Sequence, residues 1–134
     1  IVGFPTETDG DFDQTIRVIE QVQFDFAYYY KYSPRPNTTA LMEFPQSIPE
    51  NVLSERFQRL DRLQGEITER INLARVGKLC SVLIEGGRPG ETTTRGRIPE
   101  NTTVEVSGGG ARIGEEVEVM ITSASRHGLK GVSQ

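Results

Sequence analysis

Apolar positions change their spacing several times along this chain, and each change marks a different kind of element. Phe12, Ile16, Ile19 and Val22 recur three or four residues apart, the repeat of a helix with one buried face. Thr8 or Asp9 suits its N-cap, and Asp9, Asp11 and Asp13 set carboxylates against the positive end of its dipole. The next run, Phe24-Asp25-Phe26-Ala27-Tyr28-Tyr29-Tyr30-Lys31-Tyr32, is aromatic and nearly uncharged, which predicts a strand. With Ile1-Val2 reading as the end of an earlier strand broken by Gly3 and Pro5, the order becomes strand–helix–strand, the unit of an α/β fold with a parallel sheet. One such unit neither closes a sheet nor covers its own faces, so it is expected to belong to something larger. Two of Tyr28, Tyr29, Tyr30 and Tyr32 are expected inside and two outside.

After the Pro-Arg-Pro loop of residues 33–39, the helical repeat returns over a longer span, from about Pro49 to about Val76. Leu53, Phe57, Leu60, Leu63, Ile67, Ile71 and Ala74 form its apolar stripe, Pro49 suits the first turn and Gly77 a C-terminal stop. Arg56, Arg59, Arg62 and Arg70 lie among Glu55, Asp61, Glu66 and Glu69 and read as a solvated face with helical ion pairs.

From Lys78 the period drops to two. Strands are predicted at residues 78–85, 92–97, 102–106 and 116–123, with Val104/Val106 and Val117/Val119/Ile121 alternating with polar residues. The breaks fall at Gly86-Gly87, Pro99-Glu100-Asn101 and Gly108-Gly109-Gly110. Four or five short strands in so little chain suggest a closed barrel of the oligonucleotide-binding type.

Composition sharpens this division. Of 14 glycines, 11 fall at or after Gly77. The net charge of −4 argues against a generally basic nucleic-acid binder. Residues 1–77 carry 8 Lys/Arg and 12 Asp/Glu, however, whereas residues 78–134 carry 7 of each. The neutral half is therefore the better candidate for an anionic partner. No apolar run approaches the ~20 residues that cross a bilayer, and Ile1 to Pro5 has no signal-peptide character, so a cytoplasmic protein without membrane contact is expected. Cys80, the single cysteine, excludes a disulfide framework or a multi-cysteine metal site within the chain and reads as a buried strand residue. His127, the single histidine, reads as a surface residue, and no metal site is expected.

Four segments carry a family resemblance. Ile1-Val2-Gly3-Phe4-Pro5-Thr6-Glu7-Thr8 with Asp11-Phe12 resembles the "IVGFPGET…DF" segment of radical-SAM tRNA methylthiotransferases. Tyr32-Ser33-Pro34-Arg35-Pro36-Asn37-Thr38 is similar to that family's "YSPRPGT". Pro49-Glu50 and Glu55-Arg56 through Leu60, with Leu63-Gln64, resemble its long-helix motif. Residues from about Lys78 to Gly131 look like its TRAM domain, through Val82-Leu83-Ile84-Glu85-Gly86, Thr94-Arg95-Gly96-Arg97 and Leu129-Lys130-Gly131. The Pro-Arg-Pro version resembles the tRNA branch (the MiaB type), with the branch acting on threonylcarbamoyl-adenosine left open. Thr6 and Asn37 stand where the family has glycine, and Thr39 where it has proline. Asn37 is expected to keep a positive-φ turn.

The resemblance implies an α+β fragment. Residues 1–72 would be the end of a partial TIM-like radical-SAM barrel with its long linking helix, and residues 73–134 a TRAM barrel. It implies a parent enzyme, a tRNA-2-methylthio-N6-dimethylallyladenosine synthase, that methylthiolates the isopentenyl-adenosine beside the anticodon using two 4Fe–4S clusters and S-adenosylmethionine. No cofactor is expected in the fragment, which lacks the cluster cysteines and so should be inactive. Gly3 and Glu7 would lie near the S-adenosylmethionine site or serve only as a strand-to-helix turn. The expected partner is tRNA, met by Arg95, Arg97, Arg126, Lys130, Arg35 and Lys78. Arg95 and Arg97 flank Gly96 on one face of a strand, Arg126 and Lys130 belong to the family's closing loop, and Arg88 and Arg112 complete the barrel's cations. No aromatic residue follows Phe57, so backbone contacts rather than base stacking are expected of the barrel. A stand-alone RNA-binding module or a protein-interaction barrel are the rival readings. Self-association or domain swapping of the truncated unit is a further expectation.

Overall fold

The computed structural model describes residues 1–87, 92–108, 110 and 112–134. Arg88, and Gly109 of the glycine turn, lie outside the described residues. The chain divides into two compact units, Ile1–Gly65 and Glu66–Gln134. Three helices, α1 (Asp9–Val22), α2 (Thr39–Glu43) and α3 (Glu50–Leu73), precede five strands, β1 (Leu79–Gly86), β2 (Thr93–Arg97), β3 (Thr103–Ser107), β4 (Glu116–Ser125) and β5 (Gly128–Ser133). No helix of the described residues is long and apolar enough to cross a membrane.

In the first unit, α1 starts where the sequence places it. Thr8 is the N-cap, and its hydroxyl and backbone N–H exchange hydrogen bonds with Asp11 in a reciprocal box. Phe12, Ile16 and Ile19 are buried as the spacing predicts, but Val22 is exposed. The helix ends one residue later at Gln23 with φ 57°, so Val22 sits exposed on its last turn.

The aromatic run does not become a full strand. Tyr32 N–H donates to the Val2 carbonyl at 2.7 Å and Val2 N–H to the Tyr30 carbonyl at 2.9 Å. These bonds make a single parallel bridge between Val2 and Lys31. A ladder needs a partner of equal length, and the described residues supply only the stub around Val2. Tyr29 and Tyr32 turn inward, the first donating to Asp61 at 2.5 Å and the second edge-on to Phe4. Tyr28 and Tyr30 stay outside, 78% and 64% exposed. Two in and two out is the expected count, although Tyr32 breaks strict alternation with Tyr30.

Asn37 has φ 62°, the positive-φ turn expected of it, whereas Thr6 has no positive φ and needs no glycine there. The short helix α2, capped by the Thr38 hydroxyl, is an element that the hydrophobic pattern does not predict.

α3 begins one residue after Pro49, whose carbonyl receives the Leu53 N–H. Leu53, Leu60 and Ile67 are buried, but Ala74 lies beyond the helix and is exposed. The buried stripe also takes in Arg56, Gln64, Thr68 and Asn72.

The second unit is a closed barrel with strand order β1-β2-β3-β5-β4. Every neighbouring pair is antiparallel except β3 and β5, the arrangement of an oligonucleotide-binding barrel. Val82, Ile84, Ile98, Val104, Val106, Val119, Ile121 and Leu129 fill its interior. Closure leaves no strand edge to pair with another chain. Cys80 is only half-buried at the margin of this core, and burial pushes its thiol pKa up.

Candidate nucleic-acid interface

The outer face of the barrel is built by register. Arg95 of β2 stands opposite Glu105 of β3, Glu105 stands opposite Lys130 of β5, and Lys130 stands opposite Ser123 of β4. These four exposed residues form one row across the four strands. An open groove of about 330 Å³ follows the row, lined by Arg95, Thr103, Glu105, Ser123, His127 and Lys130 among others. Its walls offer hydroxyls and cations and only one carboxylate, suited to an anionic, hydrogen-bonding ligand.

Two glycines allow this face to form. Gly96 separates Arg95 from Arg97 and points into the barrel, where a Cβ would meet Val82 and the Leu83 carbonyl. Gly131 does the same on β5 against Val119 and the Met120 carbonyl. Their inward positions turn Arg95 and Lys130 outward. Lys130 is thus a strand residue and not part of a closing loop. The two glycines that flank it suggest a turn in the sequence, but here Gly131 marks close packing.

The expected cations are not equivalent. The Arg95 guanidinium makes no hydrogen bond or ion pair among the described residues. Arg97 shares its outward face but is engaged: its Nε donates to Glu85 at 2.9 Å and its Nη1 to the Asn101 side chain at 2.8 Å. Lys130 pairs with Glu105 at 3.1 Å. Arg126 is exposed in the β4–β5 turn beside His127. Lys78 is exposed just before β1, where its carbonyl accepts the Ile121 N–H, and Arg112 is also exposed. Asn72, only 2% exposed, donates to the Ser125 carbonyl at 2.9 Å and anchors the turn that carries Arg126 and His127. Asn72 escapes a purely apolar reading of α3. Its signal is the spacing of Gln64, Thr68 and Asn72 by four along the buried stripe.

In the first unit, Arg35 is exposed on its loop and lines an open cavity of about 480 Å³ with Tyr30, Tyr32 and Thr38. Gly3 and Glu7 are tied to each other: the Gly3 N–H donates to the Glu7 carboxylate at 2.9 Å. Arg56 then donates to Glu7 and to Asp9, at 2.7 Å each. The Arg56 and Glu7 side chains are 9% and 12% exposed. Burial opposes the Arg56 charge, but hydrogen bonds to Asp9 and Glu7 outweigh it and hold the guanidinium above its ordinary pKa. Arg56 therefore does not belong to a solvated face, and Arg59 bonds to Asp13 of α1 rather than along its own helix. These pairs brace the turn after Val2, so the Glu7 carboxylate is committed inside it.

Residues 73–132 match the TRAM domain model. Over 131 residues the chain is 41% identical to the tRNA-2-methylthio-N(6)-dimethylallyladenosine synthase of Caldicellulosiruptor saccharolyticus, covering 98% of this chain and 28% of that protein. The synthase of Kineococcus radiotolerans is 44% identical over 138 residues, and that of Pelotomaculum thermopropionicum 40% over 133, with 97% and 98% of this chain covered. The chain matches the C-terminal region of this synthase family. It spans 27% and 30% of the length of the latter two relatives. The residues that match the TRAM domain form the five-stranded barrel, and its outward row and groove lie within them.

Proposed function

We propose that this chain is the tRNA-holding part of an enzyme that converts N6-dimethylallyladenosine in tRNA to its 2-methylthio form. The observation that carries this reading is the groove of the TRAM barrel, where Arg95, Lys130 and His127 join serine and threonine hydroxyls without any Phe, Tyr or Trp ring. Such a surface holds RNA by its phosphates and sugars and leaves the choice of base to other parts of the enzyme. Arg126 and Lys78 extend the cationic surface. Arg97, engaged by Glu85 and Asn101, contributes less, and Arg35 offers a contact from the first unit. The barrel and its flanking helix end form the RNA-binding part, from residue 73 onward. Residues 1–72 are the last part of the radical-SAM barrel, with the Gly3–Glu7 turn as scaffold beside the S-adenosylmethionine site.

The whole enzyme acts in the cytoplasm with iron–sulfur clusters held by cysteine thiolates. A single cysteine does not fit a cluster site, so this chain alone transfers no methylthio group.

The test is filter binding of unfractionated tRNA at several salt concentrations. Replacing both Arg95 and Lys130 with alanine should weaken binding at least about tenfold and flatten the salt slope by one to two units, about 0.7–0.9 per lost phosphate contact. Unchanged affinity and slope would sink the assignment and favour a barrel used for protein contacts.

A further inference from the structure

The cationic row contains one group of the wrong sign for RNA. Glu105 stands between Arg95 and Lys130 in the register of β2, β3 and β5, lines the groove and holds the Lys130 ammonium at 3.1 Å. A neutral residue would serve the outward face of β3 equally well, because the inward faces of Val104 and Val106 do the packing. The pair is open to water, with Lys130 65% and Glu105 50% exposed, and ion pairs of that kind exchange partners readily.

Resting on the RNA-binding reading above, we propose that Glu105 is a built-in competitor for phosphate that sets how much RNA backbone must be engaged before binding is firm. In the free chain its carboxylate occupies Lys130. An isolated anion arriving at Lys130 trades one carboxylate for one phosphate and gains little. A polynucleotide that also reaches Arg95, which no carboxylate holds among the described residues, keeps a net gain. The groove thereby discriminates a continuous RNA backbone from inorganic phosphate or a mononucleotide. The displaced carboxylate also attracts a cation from solution, which cancels part of the counterion release that binding would otherwise produce.

The experiment compares Glu105→Gln with Glu118→Gln, an equal charge change on β4 where residue 118 faces Ser81 of β1 in register, using unfractionated tRNA and the full chain. Glu105→Gln should tighten binding about fivefold, as loss of one nearby repulsive charge permits. It should also steepen the salt slope by up to about one unit and let inorganic phosphate compete at lower concentration. Glu118→Gln should change affinity by less than about twofold, because its charge is distant and screened. In a Lys130→Ala background the Glu105→Gln gain should fall to the Glu118→Gln level. Equal gains from the two substitutions, or a Glu105→Gln gain undiminished without Lys130, would overturn the proposal while leaving RNA binding intact. Absence of salt-dependent tRNA binding by the unmutated chain would instead overturn the RNA-binding reading, and this proposal with it. Superimposable thermal melts of the variants confirm that the comparison is made between folded proteins.

Discussion

The two units of this chain solve the same problem, holding a short sequence in one shape, by opposite means. The barrel relies on closure: five strands pair in a ring, and eight buried apolar residues fill it. The Ile1–Gly65 unit has one parallel bridge and adds polar fasteners to its buried Phe12, Ile16, Ile19, Leu53 and Leu60, chiefly the buried Arg56 guanidinium gripping Glu7 and Asp9. Its aromatic segment keeps Phe24, Phe26, Tyr28 and Tyr30 at the surface. A ring of strands satisfies its own backbone groups. A lone bridge leaves most of them to water or to further strands. The contrast separates a region closed by strand pairing from one in which buried ion pairs join a smaller set of buried apolar residues.

The strongest way to break that contrast is to open the ring. Gly131→Val would drive a side chain into Val119 and the Met120 carbonyl. It should cost about 3 kcal/mol or more, read by urea denaturation and by lost amide protection at Val104 and Val119. Full protection of those amides would show that closure is not what holds the barrel.

A smaller effect tests the other side. Arg56→Met keeps the apolar stem but leaves the Glu7 carboxylate with the Gly3 N–H alone, and should cost the first unit about 2 kcal/mol. Exchange at Phe12 and Ile16 should quicken while Val104 and Val119 stay protected. Equal loss in both regions would show that Arg56 does not fasten the first unit in particular.

The smallest effect concerns α1. Hydrogen bonds from the Thr8 side chain, and then from its backbone N–H, hold the Asp11 carboxyl below its ordinary 3.8. A folded-state pKa lowered in this way contributes stability that is complete above the ordinary value. That contribution is lost as pH falls from about 3.8 through the depressed value. Helical circular dichroism should show a shallow acid loss in that window, absent from Asp11→Asn. An identical acid profile in the variant would remove Asp11 from the explanation.

What the sequence makes legible follows the same division. Alternating Val and Ile place β3 and β4 within about two residues, because a half-buried strand writes its period directly into the chain, while glycine and proline breaks bound β1 and β2. β5 is harder: Gly128 and Gly131 look like punctuation, and only the close approach of Val119 explains the second. The full strand expected over residues 24–32 is reduced to a bridge because strand character in a sequence cannot provide a partner. Arg56 is misread for a related reason. Arginine on a helix is usually solvated, and its acceptors Glu7 and Asp9 lie more than 40 residues away. The cations of the groove are visible as residue types. Their inequality is not, since Glu105 and Glu85 become partners only through strand register.

The parallel pairing of β3 with β5 also orders events in time. Five strands are needed to shut the ring, and the one that slots between β3 and β4 is the last in chain order. During synthesis the earlier four must wait for Gly128–Ser133 before β3 and β4 acquire their shared neighbour, a long-range contact of the kind that slows folding. Lys130 and the β4–β5 turn arrive with that strand, so the groove does not exist on a partly made barrel. A nascent chain therefore cannot present the complete groove until the domain is whole.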